Sequence, residues 1–120
     1  MTDLASLEVT QRDGAIVGRL SGEIDLSNAA ALEESLIRAA DGGAALVVDL
    51  SSLSYMDSAG IAMLQRVSQA VGAAGGSVRL VVGPEAKVRR VLMIARMDVL
   101  LPMHDQVSDA VRGLELAPDP

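Results

Sequence analysis

From Leu7 the chain alternates through Val9 and Gln11, and a second apolar stretch, 15–20, follows the turn pair Asp13-Gly14. Period-two alternation on both sides of an Asp-Gly pair predicts a β-hairpin. The second strand ends in Ser21-Gly22-Glu23-Ile24-Asp25, where Gly22 can take backbone angles closed to other residues. A helix then starts near Ser27 or Asn28, either of which suits an N-cap. Ala29, Leu32, Leu36 and Ala40 recur at helical spacing and predict its buried face. Glu33 and Glu34 fall on the solvated side, with Glu34 four residues before Arg38.

Asp41-Gly42-Gly43 marks a turn, and Leu46, Val47 and Val48 read as a strand buried on both faces. Small polar residues follow, and from Ile61 the positions Leu64, Val67 and Val71 define one face of a second helix. After the glycine-bearing loop 72–76, a strand is expected over 77–82. Gly83-Pro84-Glu85 then opens a third helix with Val88, Val91, Leu92 and Ala95 inward. Residues 99–101 predict a short last strand, with Pro102 after it suiting a strand end or sheet edge, and 105–114 a final helix burying Val107, Val111 and Leu114. The order is β-β-α-β-α-β-α-β-α. That is an α/β layer fold: one domain over 1–120 with its core at about 4–114, a small, mostly parallel mixed sheet, about four helices and a loose tail at 115–120.

Composition narrows the function. Half of the 120 residues are apolar, so a core can form without staples, and the absence of cysteine excludes disulfides and thiol chemistry. Sixteen acidic residues against ten basic ones argue against nucleic acid or an anionic membrane as ligand and favour a basic partner surface. Tyr55 is the sole aromatic residue, so no base-stacking platform can be built. Met63, Met93, Met97 and Met103 are expected to fill core gaps. No stretch has the length of a membrane span and no leader pattern opens the chain, so a soluble cytoplasmic protein without membrane insertion is expected.

In such folds, loops at the carboxyl ends of parallel strands carry function. Met56-Asp57-Ser58-Ala59-Gly60 occupies such an end. The Asp57 carboxylate can cap the next helix, making Ser58 its first residue at a positively polarised end. Gly60, early in that helix, costs about 0.8–1.0 kcal/mol relative to alanine, so either a neighbouring element or another molecule must approach closely there.

Three enzymatic readings fail on chemistry. A nucleophile elbow at Ser58 would need glycine where Met56 stands, and its base could only be His104, with Asp98 before it. His104 is instead expected at the surface, at a helix start. A phosphoacceptor Asp49 lacks the acid pair that holds Mg²⁺, and Lys87 is the one lysine. No phosphate-binding loop motif is present. What remains is Ser58 as a modification site, where a phosphoryl group would add about −1.5 to −2 charges.

Gly22-Glu23-Ile24-Asp25, Val47-Val48-Asp49-Leu50-Ser51 and Met56-Asp57-Ser58-Ala59-Gly60 together resemble the STAS domain, and within it the bacterial anti-sigma factor antagonists, over roughly residues 4–113. The resemblance implies a binding module rather than an enzyme, with no cofactor of its own. Its partner would be an anti-sigma factor that is also an ATP-dependent serine-protein kinase. Unphosphorylated chain would bind it and free a sigma factor, phosphorylation on Ser58 would abolish binding, and a protein phosphatase would restore it. The partner-binding residues so implied are Asp25, Asp57, Ser58, Ala59 and Gly60. Ala59 departs from the second Ser or Thr of many members. The alternative is a STAS subunit of an ABC-type lipid-transport complex, without a phosphorylation cycle.

Overall fold

Asp13 and Gly14 both take left-handed backbone angles, φ 50° and 85°, which turn β1 (Ala5–Arg12) back onto β2 (Ala15–Ile24) as an antiparallel hairpin. The computed structural model describes residues 4–115. After the hairpin come α1 (Ala29–Ala39), β3 (Ala45–Met56), α2 (Ser58–Ala73), β4 (Ser77–Val81), α3 (Arg89–Ile94), α4 (Met97–Leu100), β5 (Met103–His104) and α5 (Val107–Glu115). The five strands lie in sequence order, and every pair after the hairpin is parallel. Among the described residues five helices stand where about four were expected, because the short α4 forms over part of the segment expected to be the last strand.

The sheet separates two apolar layers. Leu32 and Leu36 of α1, Met63, Leu64 and Val67 of α2, and Leu92 and Met97 further on pack over Leu20, Leu46, Val48, Leu50 and Leu80. On the opposite face, α5 lays Ala110 and Val111 over Ala15, Val17, Val47 and Val81. Every residue expected on the inner faces of α1 and α2 is buried. Glu34 pairs with Arg38 as expected. Glu33 does not simply face water: it accepts from Arg66 Nε at 2.6 Å and ties α1 to α2.

β3 is far longer than the apolar stretch 46–48 and takes in the serines that follow it. Between Arg19 and Ser21, and again between Gly22 and Glu23, β3 carries one extra residue opposite β2. Each bulge resets which side faces inward, so Leu50, Leu53 and Met56, three apart, all reach the same core. Ser52 and Ser54, between them, bond back to β2. Ser52 Oγ accepts from Arg19 Nη2 at 2.9 Å, and Ser54 Oγ donates to the Gly22 carbonyl at 3.0 Å.

The segment after β4 also departs from expectation. Pro84 does not open a helix. Residues 83–88 run through turns, with Ala86 N–H on Gly83 O and Arg89 N–H on Ala86 O, and Arg89 Nη1 donates to Val82 O at 2.8 Å. Helix α3 starts only at Arg89, which leaves Ala95 and Met93 exposed while Val88 and Leu92 stay buried. Residues 99–101 are not a strand: Val99 and Leu100 belong to α4, and both are exposed. The strand comes after Pro102, whose carbonyl accepts from Leu80 N–H. Pro102 thus lies at the sheet edge, one of the two places expected for it, but before the strand and not after it. Glu115 closes α5, and the remainder of the expected tail lies outside the described residues.

His104 lies on β5, half-buried, and not at a helix start. Its Nε2 is 3.1 Å from Arg79 Nη1. Arginine can only donate, so the imidazole is neutral at Nε2. Gly113 of α5 covers the pair; a β-carbon there would stand 3.0 Å from Arg79 Nη1 and 3.3 Å from His104 Cε1. Burial, then the Arg79 charge, hold the His104 pKa below its ordinary 6.5, against the opposing pull of Asp109 and Asp105. The folded chain therefore resists a proton that the unfolded chain accepts. Stability is complete above pH 6.5 and falls as pH drops through 6.5 and the lower folded value. Urea midpoints at pH 7.5 and 5.5 should show this fall, and His104→Gln should flatten it; an unchanged slope in the variant would refute the assignment.

Candidate functional site

The parallel register sets Ile24 opposite Met56, so β2 and β3 end in one row. The next residue on each strand is an aspartate. Asp57 N–H donates to Ile24 O at 3.3 Å, fastening the two exits together. Asp25 and Asp57 are thus neighbours at the carboxyl edge of the sheet, although 32 positions separate them in the sequence.

Asp57 is extended and caps α2: its Oδ1 accepts from Ala59 N–H at 2.9 Å. Ser58 is the first helical residue and is exposed, its hydroxyl taking no part in the cap. Ala59 is half-buried against the core, and Gly60 is buried. A β-carbon at Gly60 would lie 2.2 Å from Met56 Cγ and 3.3 Å from Ile24 Cγ2. The chain's own Met56 therefore supplies the close approach that this glycine requires. It lets the start of α2 settle onto the strand ends.

Asp25 Oδ1 accepts from the Ser27 N–H at 2.9 Å and the Ser27 hydroxyl at 2.5 Å. These bonds hold its carboxyl below the ordinary 3.8, so it stays ionised. Asn28 occupies the N-cap position of α1 without bonding the helix. Its amide turns back instead, Oδ1 accepting from Asp25 N–H and Nδ2 donating to Glu23 O. This lock on the loop was not anticipated from the sequence, although an Asn three residues after an Asp at a helix start is a readable turn signal. Leu26 was missed too. It projects between Asp25 and Ser27 with 85% of its surface exposed.

The structure thus gathers Asp25, Asp57 and Ser58 at one end of the sheet, with Ala59 and Gly60 turned inward beneath them. His104 stays on edge strand β5, occupied by Arg79. Asp49 accepts from Ser51 N–H. Among the described residues no three metal-ligating side chains cluster, and no helix is long and apolar enough to cross a membrane. The arrangement can present a charged, partly apolar docking end with one free hydroxyl at its centre.

Residues 6–110 match the family model described as the STAS domain. The chain belongs to the STAS domain family, alongside relatives named anti-sigma factor antagonists. It is 33% identical to the anti-sigma-F factor antagonist RsfB of Mycobacterium tuberculosis, covering 93% of this chain and 91% of that protein. To the anti-sigma-B factor antagonist of Bacillus subtilis it is 36% identical, over 62% of this chain and 69% of that one. The crystal structure of an anti-sigma factor antagonist from Mycobacterium paratuberculosis superposes with a TM-score of 0.82 at 28% identity, covering 92% and 94% of the two chains.

Proposed function

We propose that this chain is an anti-sigma factor antagonist that works in the cytoplasm by switching partners. In its unphosphorylated form it binds an anti-sigma factor that is also a serine kinase, and a sigma factor is released. Phosphorylation of Ser58 breaks that complex, and a protein phosphatase restores it. The carrying observation is the exposed Ser58 hydroxyl at the head of α2, beside the ionised Asp25 at the end of the next strand. The names of the two curated relatives support the same reading.

Asp25, Asp57, Ser58, Ala59 and Gly60 make up the partner-binding end, each with a different part. Asp25 attracts a basic residue of the partner, and Leu26 beside it adds an apolar anchor. Asp57 fixes the helix start. Gly60 keeps that start low enough for a partner to reach both aspartates, and Ala59 leaves Ser58 as the single hydroxyl of the turn. The chain is a substrate and a binding module, and ATP belongs to the kinase.

Displacement tests the reading. Unphosphorylated chain added to a complex of sigma factor and anti-sigma factor from the source organism should free the sigma factor in gel filtration. A complex that stays intact at excess chain would count against the proposal.

A further inference from the structure

A groove of about 240 Å³ runs between the end of β3 and α3. Tyr55, Met56, Val91 and Ile94 form its apolar walls, and Lys87 and Arg90 stand on its rim. Tyr55 and Ile94 are 49% and 71% exposed, so the walls are open to water. Small-molecule sites usually enclose about 300–1,000 Å³ and bury most of the ligand. This groove is too small and too open for that use, and fits an apolar side chain presented by another protein.

Its charge is opposite to that of the rest of the molecule. The chain carries −6 overall, yet residues 87–96 hold Lys87, Arg89, Arg90 and Arg96 with no acid between them. Arg89 is engaged with Val82 O and faces Asp105 at 3.9 Å. Lys87 and Arg90 are exposed and, among the described residues, have no carboxylate within 4.0 Å. Interfaces pair opposite potentials around an apolar centre. The end carrying Asp25 and Asp57 calls for a basic partner surface. This groove calls for an acidic one.

We infer that the Tyr55–Ile94 groove is a second docking surface, whose occupant is an acidic segment of another protein, one apolar side chain in the groove and its carboxylates on Lys87 and Arg90. The inference is independent of whether Ser58 is modified. The chain supplies its own reporter, because Tyr55 is the one aromatic residue and lines the groove.

The probe is a synthetic amphipathic helix without aromatic residues, with leucines at i, i+3, i+4 and i+7 and glutamates elsewhere, set against the same peptide with lysines. The acidic peptide should change Tyr55 emission saturably, more weakly as salt rises. The lysine peptide should leave it unchanged, although the net charge of the chain favours that peptide. Lys87→Glu combined with Arg90→Glu should weaken the acidic peptide roughly tenfold or more, with circular dichroism and the urea midpoint showing the fold intact. No emission change at millimolar acidic peptide, an equal response to both peptides, or undiminished binding by the double variant would overturn the inference. So would concentration-dependent self-association that the double variant abolishes, since the occupant would then be a second copy of the chain.

Discussion

Replacing Ser58 with aspartate should cost the complex with the anti-sigma partner at least tenfold in affinity while leaving the fold in place. The new charge sits at the positive end of α2, where an acid is favoured by about 0.3–1 kcal/mol. Ser58 is exposed and its hydroxyl holds no part of the cap, so nothing internal is lost. A docked partner meets the change differently. Docking strips water from position 58, and a carboxylate buried there, where the partner's basic groups are already engaged by Asp25, is left unpaired at a cost of several kcal/mol, while each 1.4 kcal/mol is about a tenfold loss. Calorimetric titration against the partner reads the first effect and urea denaturation the second. Wild-type affinity in a folded Ser58→Asp variant would remove the electrostatic basis of the switch.

Gly22→Ala is the substitution expected to damage the fold most. Gly22 has φ +92°, and a β-carbon there would lie 2.2 Å from the Leu4 carbonyl oxygen and 3.0 Å from Ala5 Cα. That carbonyl also accepts the Glu23 N–H at 2.8 Å, so it cannot swing aside without losing a bond. Left-handed strain of about 1–2 kcal/mol and overpacking of about 1–3 kcal/mol together place the loss near 3 kcal/mol. Gly72 provides the contrast. It lies within α2 with nothing inside 4 Å of a β-carbon, so Gly72→Ala should stabilise by roughly 0.5–1 kcal/mol. Urea midpoints should move in opposite directions with unchanged m-values. Similar midpoints for the two variants would contradict the account of the β2 end that delivers Asp25.

Much of this arrangement was legible in the sequence where one periodicity held throughout an element. The hairpin followed from Asp13-Gly14, and the buried faces of α1 and α2 from Leu32, Leu36, Leu64 and Val67. Legibility failed where a local irregularity changed the period. The bulges in β3 spaced Leu50, Leu53 and Met56 by three, which suits neither a regular strand nor a helix, and the serines satisfied by Arg19 and Gly22 gave no strand pattern. Pro84 was misplaced, and Pro102 was placed at the sheet edge but on the wrong side of its strand, for a related reason. Each is compatible with more than one position, and the choice depended on hydrogen bonds to Gly83, Ala86 and Leu80 that only the assembled sheet provides.

The site divides in the same way. The cap by Asp57 and the place of Ser58 at the helix head are local and were read correctly from five residues. The adjacency of Asp25 and Asp57 is a matter of strand register, which no spacing in the chain encodes; only the family resemblance linked them beforehand. Leu26, Asn28 and the basic groove gave weaker signals. An exposed leucine is unremarkable in a sequence, and the Lys87–Arg90 pair becomes a rim only once α3 is set beside Tyr55.

The most direct test of the central claim is phosphate transfer to Ser58. Purified wild-type chain and Ser58→Ala, both shown to be folded, are incubated with labelled ATP in extract of the source cells, and the label on each is measured. The account predicts label on the wild type alone, located at Ser58 by mass spectrometry. An unlabelled wild type in an extract with demonstrated serine kinase activity, or equal label on the variant, would contradict it.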